Sequence, residues 1–169
     1  MKVLLLASAL LLLIAPVIRW FARRKADALG LPGELIYVDQ GDRELLVSDR
    51  YGLVGRPDYI LKDGGELVPV ERKSRAVSRS GPHDGEILQL AAYCLLVEEH
   101  FKKAVLRGQL QYRNRSIDVP FDDQLRRRLS NALDAMHEAD ELRDVPRSHD
   151  SPARCRGCGH RSTCNQSLA

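Results

Sequence analysis

The order of secondary-structure elements along the chain predicts a mixed α/β domain behind a single membrane-spanning helix. Two observations predict the domain: apolar, strand-like segments precede an amphipathic helix, and a further strand pair precedes another such helix. Strands interleaved with helices favour a central sheet that is flanked by helices. A third observation, an uncharged apolar segment at the start of the chain, predicts the membrane helix. With 169 residues, the chain can form one compact domain and an appendage, but not two full domains.

The composition is that of an ordinary globular protein, with 44% hydrophobic and 29% charged residues. The net charge of +3 is only mildly basic, so charge alone does not predict a nucleic-acid-binding protein. Any function of that kind therefore has to be argued from motifs.

Residues 1–25 predict an uncleaved membrane anchor. Residues 3–18 carry no charge, and with the aromatic residues that follow they approach the shortest length that spans a bilayer. Basic residues come next, which by the positive-inside rule predicts a single-pass membrane protein whose C-terminal domain lies in the cytoplasm. The alternatives are a cleaved signal peptide, for which the sequence offers no convincing small-x-small cleavage site, and a buried helix of the domain.

Glycine and proline mark residues 26–34 as a linker. Four strand-like segments follow, at residues 35–38, 44–48, 53–61 and 67–73. The glycine pair within residues 62–65 predicts a tight turn between the last two of these strands. Pro69 is unfavourable inside a strand, because proline cannot donate a hydrogen bond to a neighbouring strand.

The second half of the domain is predicted to be mainly helical, with one hairpin. In order, a polar loop, a helix, a hairpin and a second helix lie at residues 75–85, 86–100, 103–119 and 122–143. Asp122 is the expected N-cap of the second helix. The predicted domain is therefore residues 35–143, followed by a C-terminal tail at residues 144–169.

Three charged residues in the strands have the chemistry of a metal-dependent phosphodiester hydrolase. Asp58 and Glu71 offer the carboxylate oxygens that Mg2+ prefers. Residues two apart on a strand share a face, so Lys73 is expected beside Glu71. There it can orient the attacking water and offset negative charge in the transition state. In isolation, the pattern is equally typical of a solvated hairpin edge.

Gln89 and Tyr93 lie four residues apart on the first helix and therefore share one of its faces. We expect that face to be exposed, opposite the apolar stripe, and to contact a phosphate or a nucleotide. The alternative is an ordinary polar helix surface.

Together these residues resemble the PD-(D/E)XK nuclease superfamily, in particular its RecB-type branch and the CRISPR-associated exonucleases within that branch. The resemblance covers residues 45–169 and depends on the order and spacing of four motifs. These are Gly55-Arg56-Pro57-Asp58, Val70-Glu71-Arg72-Lys73, Gln89-Leu90-Ala91-Ala92-Tyr93 and Cys155-x2-Cys158-x5-Cys164.

The resemblance implies a restriction-endonuclease-like mixed β-sheet flanked by helices, dependence on Mg2+ or Mn2+, and cleavage of DNA, often from single-stranded ends. It assigns metal binding to Asp58 and Glu71, catalysis to Lys73 with these two acids, and motif support or DNA contact to Gln89 and Tyr93. One departure concerns the metal site: the family usually carries a histidine ligand ahead of the first strand, and this chain has no histidine before His83.

The tail carries three closely spaced cysteines, which in a chain without a disulfide framework indicate a metal site in a reducing compartment. Related exonucleases hold an iron–sulfur cluster with three such cysteines and one N-terminal cysteine, which this chain lacks. Three interpretations stay open: a 4Fe–4S cluster, a zinc ion, or no metal. His160 is a candidate fourth ligand, and Cys94 is the other, although its place on the first helix favours a buried core residue.

The sequence thus predicts a membrane-anchored, metal-dependent DNA nuclease that acts as an exonuclease on single-stranded ends. Two alternatives remain: a catalytically weak or inactive nucleic-acid-binding module of the same fold, and a metal-binding membrane scaffold.

Overall fold

A computed structural model describes residues 34–38, 45–143 and 145–169. The described strands are β1 (Glu34–Val38), β2 (Leu46–Ser48), β3 (Leu53–Gly55), β4 (Tyr59–Asp63), β5 (Glu66–Lys73), β6 (Arg107–Tyr112) and β7 (Ser116–Pro120). The described helices are α1 (Asp84–Phe101), α2 (Asp123–Asp140), the short α3 (Pro152–Arg156) and a 3-10 turn at Arg161–Thr163. This is a mixed α/β fold, as the order of elements predicted.

The main sheet has five strands in the order β1-β4-β5-β6-β7. All neighbouring strands are antiparallel except β5 and β6, which are parallel. A parallel pair needs a crossover connection, and α1 is that connection. Strands β2 and β3 form a separate two-stranded hairpin that packs on α1.

The turn between β4 and β5 confirms the prediction made from its glycine pair. Gly64 and Gly65 both have positive φ, at 54° and 92°. A two-residue hairpin loop of type I′ requires positive φ at both positions, and glycine adopts it without a steric cost. This short turn fixes the register of β4 against β5, and with it the place of the charged residues of β5.

The strand predicted at residues 53–61 is interrupted in the structure. Strand β3 ends at Gly55 and β4 begins at Tyr59, with Pro57 between them. Because proline fixes its own φ and restricts the preceding residue, the chain turns out of one sheet and enters the other. Pro69, in contrast, lies within β5, where pairing with β6 begins one residue later, at Val70.

Helix α1 packs on the sheet through an apolar cluster centred on Leu90. Leu90 contacts the buried side chains of Val77, Leu110 and Tyr112. Strand and helix approach closely here: a Cβ on Gly108 would lie 2.7 Å from Leu90 Cγ. The opposite face of the sheet has its own cluster, formed by Tyr59, Leu61, Val68 and Val70.

The ends of both long helices are fixed by side chains. Glu86 completes a capping box at the start of α1, where its carboxylate accepts a hydrogen bond from the backbone of His83. Asp122 Oδ1 accepts a hydrogen bond from the backbone N–H of Leu125 at 2.8 Å, which confirms Asp122 as the cap of α2. Arg126 of α2 also forms a two-pronged ion pair with Glu98 of α1.

The chain divides into two compact units, one ending at Asn131 and the other spanning Ala132–Ala169. The first contains the main sheet and α1. The second contains the last turns of α2, helix α3 and the three cysteines of the tail.

The prediction of a single-pass membrane location is contradicted by the structure. Within the described residues, no helix is both long and apolar enough to cross a bilayer. The apolar segment at residues 1–25 and the linker after it, up to residue 33, lie outside those residues. The described long helices carry charged residues on their polar faces, whereas a bilayer-spanning helix needs about 20 predominantly apolar residues in succession.

Candidate active site

Asp58, Glu71 and Lys73 lie together where the loop after β3 meets the end of β5. Asp58 directly precedes β4, and its Oδ2 accepts a hydrogen bond from the backbone N–H of Arg72 at 2.6 Å. Glu71 and Lys73 share one face of β5, and Lys73 Nζ lies 2.9 Å from Glu71 Oε1. The structure therefore brings together all three residues that were predicted as catalytic.

Helix α1 contributes Gln89 and Tyr93 to this cluster. Lys73 Nζ donates a second hydrogen bond to Gln89 Oε1 at 2.9 Å. The amide nitrogen of Gln89 donates to Glu71 Oε1 at 3.2 Å and to the Tyr93 hydroxyl at 2.9 Å. The amide of Gln89 thus holds the lysine and the glutamate in one fixed arrangement.

Gln89 and Tyr93 do not lie on an exposed face, as the helical pattern alone suggested. Both are half-buried: the amide of Gln89 contacts Lys73 and Glu71 of β5, and the Tyr93 hydroxyl accepts a hydrogen bond from that amide. The periodicity of α1 correctly places them on one face, but it does not show that the end of β5 packs against that face.

Glu71 is the most perturbed member of the site. It is 9% exposed, and this burial raises the pKa of its carboxyl group. The hydrogen bond from Lys73 opposes the rise, and the negative charge of the neighbouring Asp58 adds to it. Two adjacent carboxylates, one of them largely desolvated, are stabilised in their charged forms by a cation between them.

The donor set fits a hard divalent cation with open coordination positions. Mg2+ is usually held by one or two carboxylates, with waters and substrate phosphates as the other ligands. Asp58 and Glu71 provide two such carboxylates. No group of three or more His, Cys, Asp or Glu side chains within residues 34–38, 45–143 and 145–169 is arranged to hold a metal ion. A metal here would therefore depend on water and substrate for its remaining ligands.

The sequence did not reveal how tightly the β2–β3 hairpin approaches this site. A Cβ on Gly55 would lie 2.7 Å from Leu96 Cδ1 and 2.9 Å from Tyr93 Cε1. Gly55 therefore allows the hairpin to touch the ring of Tyr93. The glycine stands in the Gly55-Arg56-Pro57-Asp58 motif, but the motif gives no hint that the partner is Tyr93.

A second network that the sequence did not reveal braces the loop after β5. Glu86 Oε2 accepts hydrogen bonds from Arg75 at 2.7 Å and from the Tyr112 hydroxyl at 2.8 Å. Burial raises the pKa of the Glu86 carboxyl group, but the hydrogen bonds from His83, Tyr112 and Arg75 outweigh it, and the net pKa is lowered.

The three tail cysteines line one cavity of about 440 Å³ with His149 and His160. Cys155 is buried, and its sulfur accepts a hydrogen bond from the backbone N–H of Leu168 at 3.5 Å. Cys158 and Cys164 are exposed. The cysteines therefore share a cavity wall without forming a closed set of metal ligands.

Cys94 lies in the core of the first unit, where it is 1% exposed. Burial raises the pKa of its thiol, which disfavours the thiolate that a metal requires. This environment supports the interpretation of Cys94 as a core residue.

Comparison with known proteins places this geometry in a family. The sequence profile of the PD-(D/E)XK nuclease superfamily matches residues 4–165, so the match includes most of the apolar N-terminal segment. The chain is 28% identical over 118 residues to the CRISPR-associated exonuclease Cas4 of Francisella tularensis subsp. novicida, covering 70% of this chain and 59% of that protein. It is 30% identical over 154 residues to a CRISPR-associated exonuclease Cas4/endonuclease Cas1 fusion of Myxococcus xanthus, covering 83% of this chain and 27% of the fusion.

The chain thus spans less than two thirds of the length of these relatives. A solved protein, SSO0001, aligns with 75% of this chain and 58% of its own at 20% identity and a TM-score of 0.41, a likeness too low to bear on fold or function. The profile match, in contrast, covers nearly the whole sequence. The chain belongs to the PD-(D/E)XK nuclease superfamily, and the relatives it matches are CRISPR-associated exonucleases.

Proposed function

We propose that this protein is a metal-dependent nuclease that hydrolyses phosphodiester bonds of DNA. The observation that carries the proposal is the position of Lys73, whose ammonium group donates to both Glu71 and Gln89 at 2.9 Å beside Asp58. Two carboxylates and a fixed lysine are what a metal-assisted attack of water on a phosphate needs.

Each residue has a role that follows from its position. Asp58 and Glu71 hold Mg2+ or Mn2+, which supplies charge neutralisation and water activation when bound. Lys73 orients the attacking water and offsets the negative charge that develops on the phosphate. Gln89 holds the side chains of Lys73 and Glu71 in place through hydrogen bonds to both. The Tyr93 hydroxyl in turn orients the amide of Gln89.

DNA is the proposed substrate, and a single-stranded end is the proposed point of attack. Both relatives are named exonucleases, which supports cleavage from an end. The side chain of Lys73 is 18% exposed, so the site is partly open to solvent.

The test compares the full-length protein with Lys73→Ala on end-labelled single-stranded DNA, with and without Mn2+. Lys62→Ala is the matched control, since it removes an exposed lysine from the adjacent strand β4. We expect Lys73→Ala to lower the cleavage rate by about 10²- to 10⁴-fold and Lys62→Ala to leave it unchanged. Equal cleavage by Lys73→Ala and the wild type would contradict the assignment.

A second candidate is a nucleic-acid-binding module of the same fold that does not cleave. One observation favours it: among the residues that the structure describes, no third His, Cys, Asp or Glu joins Asp58 and Glu71 to hold a metal ion. In the same experiment, this module would retain labelled DNA on a filter but leave it intact with Mn2+.

We further propose that the tail binds a metal through Cys155, Cys158 and Cys164, as zinc or as an iron–sulfur cluster. Their shared cavity supports this. Among the two histidines there, His160 is the better fourth ligand, because His149 Nδ1 accepts the backbone N–H of Ser151 at 3.2 Å and its proton is therefore on Nε2. Metal analysis and the visible absorption spectrum of anaerobically purified protein would distinguish zinc, a cluster and no metal.

A further inference from the structure

A cavity of about 400 Å³ opens at the ends of β5 and β6, next to the proposed catalytic site. Its lining residues are Arg72, Lys73, Ser74, Gln111, Tyr112 and Arg113. Three of these six carry a positive charge and none is acidic. Lys73 lines this cavity and also belongs to the catalytic cluster, so the two lie at the same end of β5.

Two of the three positive charges of the cavity are not paired with a carboxylate. Lys73 is paired with Glu71, but Arg72 donates to the neutral Tyr59 hydroxyl at 3.0 Å and lies 5.9 Å from the centre of that ring. Within the part of the chain that the structure describes, neither Arg72 nor Arg113 forms an ion pair with an acidic residue. The charges of Arg72 and Arg113 are thus not offset by a carboxylate, although the guanidinium group of Arg72 is held against Tyr59.

Arg75, only two residues beyond Lys73, is occupied in contrast. Its guanidinium group donates to Glu86 at 2.7 Å and lies 5.4 Å from the centre of the Tyr112 ring. The charge of Arg75 is therefore used within the fold, whereas Arg113 is exposed and lines the cavity.

The turn that carries Arg113 is held firmly in place. The backbone N–H of Arg113 donates to the Arg75 carbonyl at 3.1 Å, and Asn114 Oδ1 accepts the backbone N–H of Val77 at 3.0 Å. A fixed backbone limits the space that the Arg113 side chain can reach, which lowers part of the entropic cost of binding.

We propose that this cavity binds a backbone phosphate of the nucleic-acid strand, adjacent to the phosphate that is cleaved, and that Arg113 is its principal ligand. The planar guanidinium group matches two phosphate oxygens, and Arg72 and the Ser74 hydroxyl complete the donor set. Contacts of this kind set the register of a strand without reading its bases. The proposal rests on the proposed function, since it adds a phosphate to that same site.

The first experiment measures the binding of labelled single-stranded DNA to the full-length protein in EDTA, over a series of salt concentrations. Arg113→Ala is compared with Arg115→Ala, which removes an exposed arginine from the same turn but not from the cavity wall. We expect Arg113→Ala to weaken binding about tenfold and to reduce the slope of log affinity against log salt by about 0.7, the value for one phosphate contact on a single strand. Arg115→Ala should keep the slope of the wild type.

Arg113→Lys separates charge from geometry, because it keeps the positive charge but cannot form the two-pronged contact. It should keep the salt slope and lose part of the affinity. Thermal melting of all three variants confirms that they are folded. Equal binding by Arg113→Ala and Arg115→Ala overturns the proposal, and so does a wild-type protein that does not bind DNA.

The second experiment locates the phosphate with a series of DNA substrates that each carry one neutral methylphosphonate linkage. Each change alone should lower kcat/KM. At the contacted position, the neutral linkage should cause no further loss in Arg113→Ala, whereas at other positions the two fold-losses in kcat/KM should multiply. Multiplication at every position overturns the proposal.

The two proposals fail in distinguishable ways. If Arg113→Ala binds DNA more weakly and the wild type does not cleave it, the phosphate site is supported and the nuclease activity is contradicted. Conversely, metal-dependent cleavage by the wild type, together with equal DNA binding by Arg113→Ala and Arg115→Ala, would support the nuclease and overturn the phosphate site.

Discussion

Glu71, Lys73 and Gln89 are joined by hydrogen bonds of 2.9 to 3.2 Å, whereas the three cysteines of the tail line one cavity without forming a ligand set. The two regions differ in what supports them. The residues of the first region lie on a central strand and a long helix, whereas the cysteines of the tail lie on or near a five-residue helix and short turns.

The difference shows that the fold alone positions the functional side chains in the first region but not in the tail. Side chains on packed strands and helices are positioned before any ligand arrives. In the tail, the free energy of metal binding would have to move the thiols together, so that binding and local folding become one process. We therefore expect substitutions in the first region to affect catalysis strongly and substitutions in the tail to affect it weakly.

The largest expected effect is the loss of catalysis in Glu71→Gln. The change keeps the shape of the side chain but removes a proposed metal ligand, so we expect cleavage to fall by about 10²- to 10⁴-fold. Glu66→Gln, on the same strand but 43% exposed at its side chain, is the control. Retention of more than a tenth of the wild-type rate by Glu71→Gln would show that the site is not organised around this carboxylate.

The same variant should become more stable relative to the wild type as the pH rises from 4 to 7. Because burial raises the pKa of Glu71, its folded-state pKa lies above its unfolded value of 4.5. The favourable contribution of the protonated carboxyl group is therefore present below pH 4.5 and is lost as the pH rises through the folded-state pKa, whereas glutamine does not titrate. Chemical denaturation in the absence of metal should show that the difference in unfolding free energy moves in favour of Glu71→Gln between pH 4 and pH 7.

An intermediate effect is expected from Gly55→Ala, which tests the support of the site rather than its chemistry. The added Cβ would collide with Leu96 and Tyr93, and overpacking of this kind costs about 1–3 kcal/mol of unfolding free energy. Gly85→Ala, where no atom lies within 4 Å, should be neutral or slightly stabilising in the first turn of α1. Equal unfolding midpoints for the two variants would argue against the close approach of the hairpin to α1.

The smallest effect on cleavage is expected from Cys158→Ser in the tail. Cys158 is exposed, and a surface substitution usually changes free energies by less than about 0.5 kcal/mol, which is about a twofold change in rate. The metal content of the purified protein should nevertheless fall. A variant that loses cleavage as completely as Glu71→Gln would show that the tail, too, is part of the catalytic apparatus.

Much of the fold could be predicted because local chemistry decides it. The Gly64-Gly65 turn and the Asp122 cap each follow from a few adjacent residues, and the first long helix follows from its apolar periodicity. Two-residue spacing on a strand also fixes the relation of Glu71 to Lys73, whereas the catalytic roles of these residues stay a prediction.

The remaining features depend on what packs against what, which a single sequence does not show. The apolar pattern of residues 53–61 concealed the break at Pro57, and the pattern of α1 did not reveal that β5 covers Gln89. The membrane location was inferred from the hydropathy of residues 3–18 and the basic residues that follow them, although such a pattern is not by itself evidence of a bilayer span. The cavity beside Arg113 depends on residues 40 positions apart, so no local motif could predict it.

The close contact at Gly55 has a consequence for anyone who redesigns this protein. Strands β2 and β3 present one face to α1 and the other to solvent, where Val47 and Val54 are 55% and 60% exposed. The outer face can therefore accept new side chains, labels or a grafted recognition surface within reach of the catalytic groups. Gly55 at the end of β3 must be kept, because any larger side chain there would push the hairpin, and whatever is attached to it, away from α1.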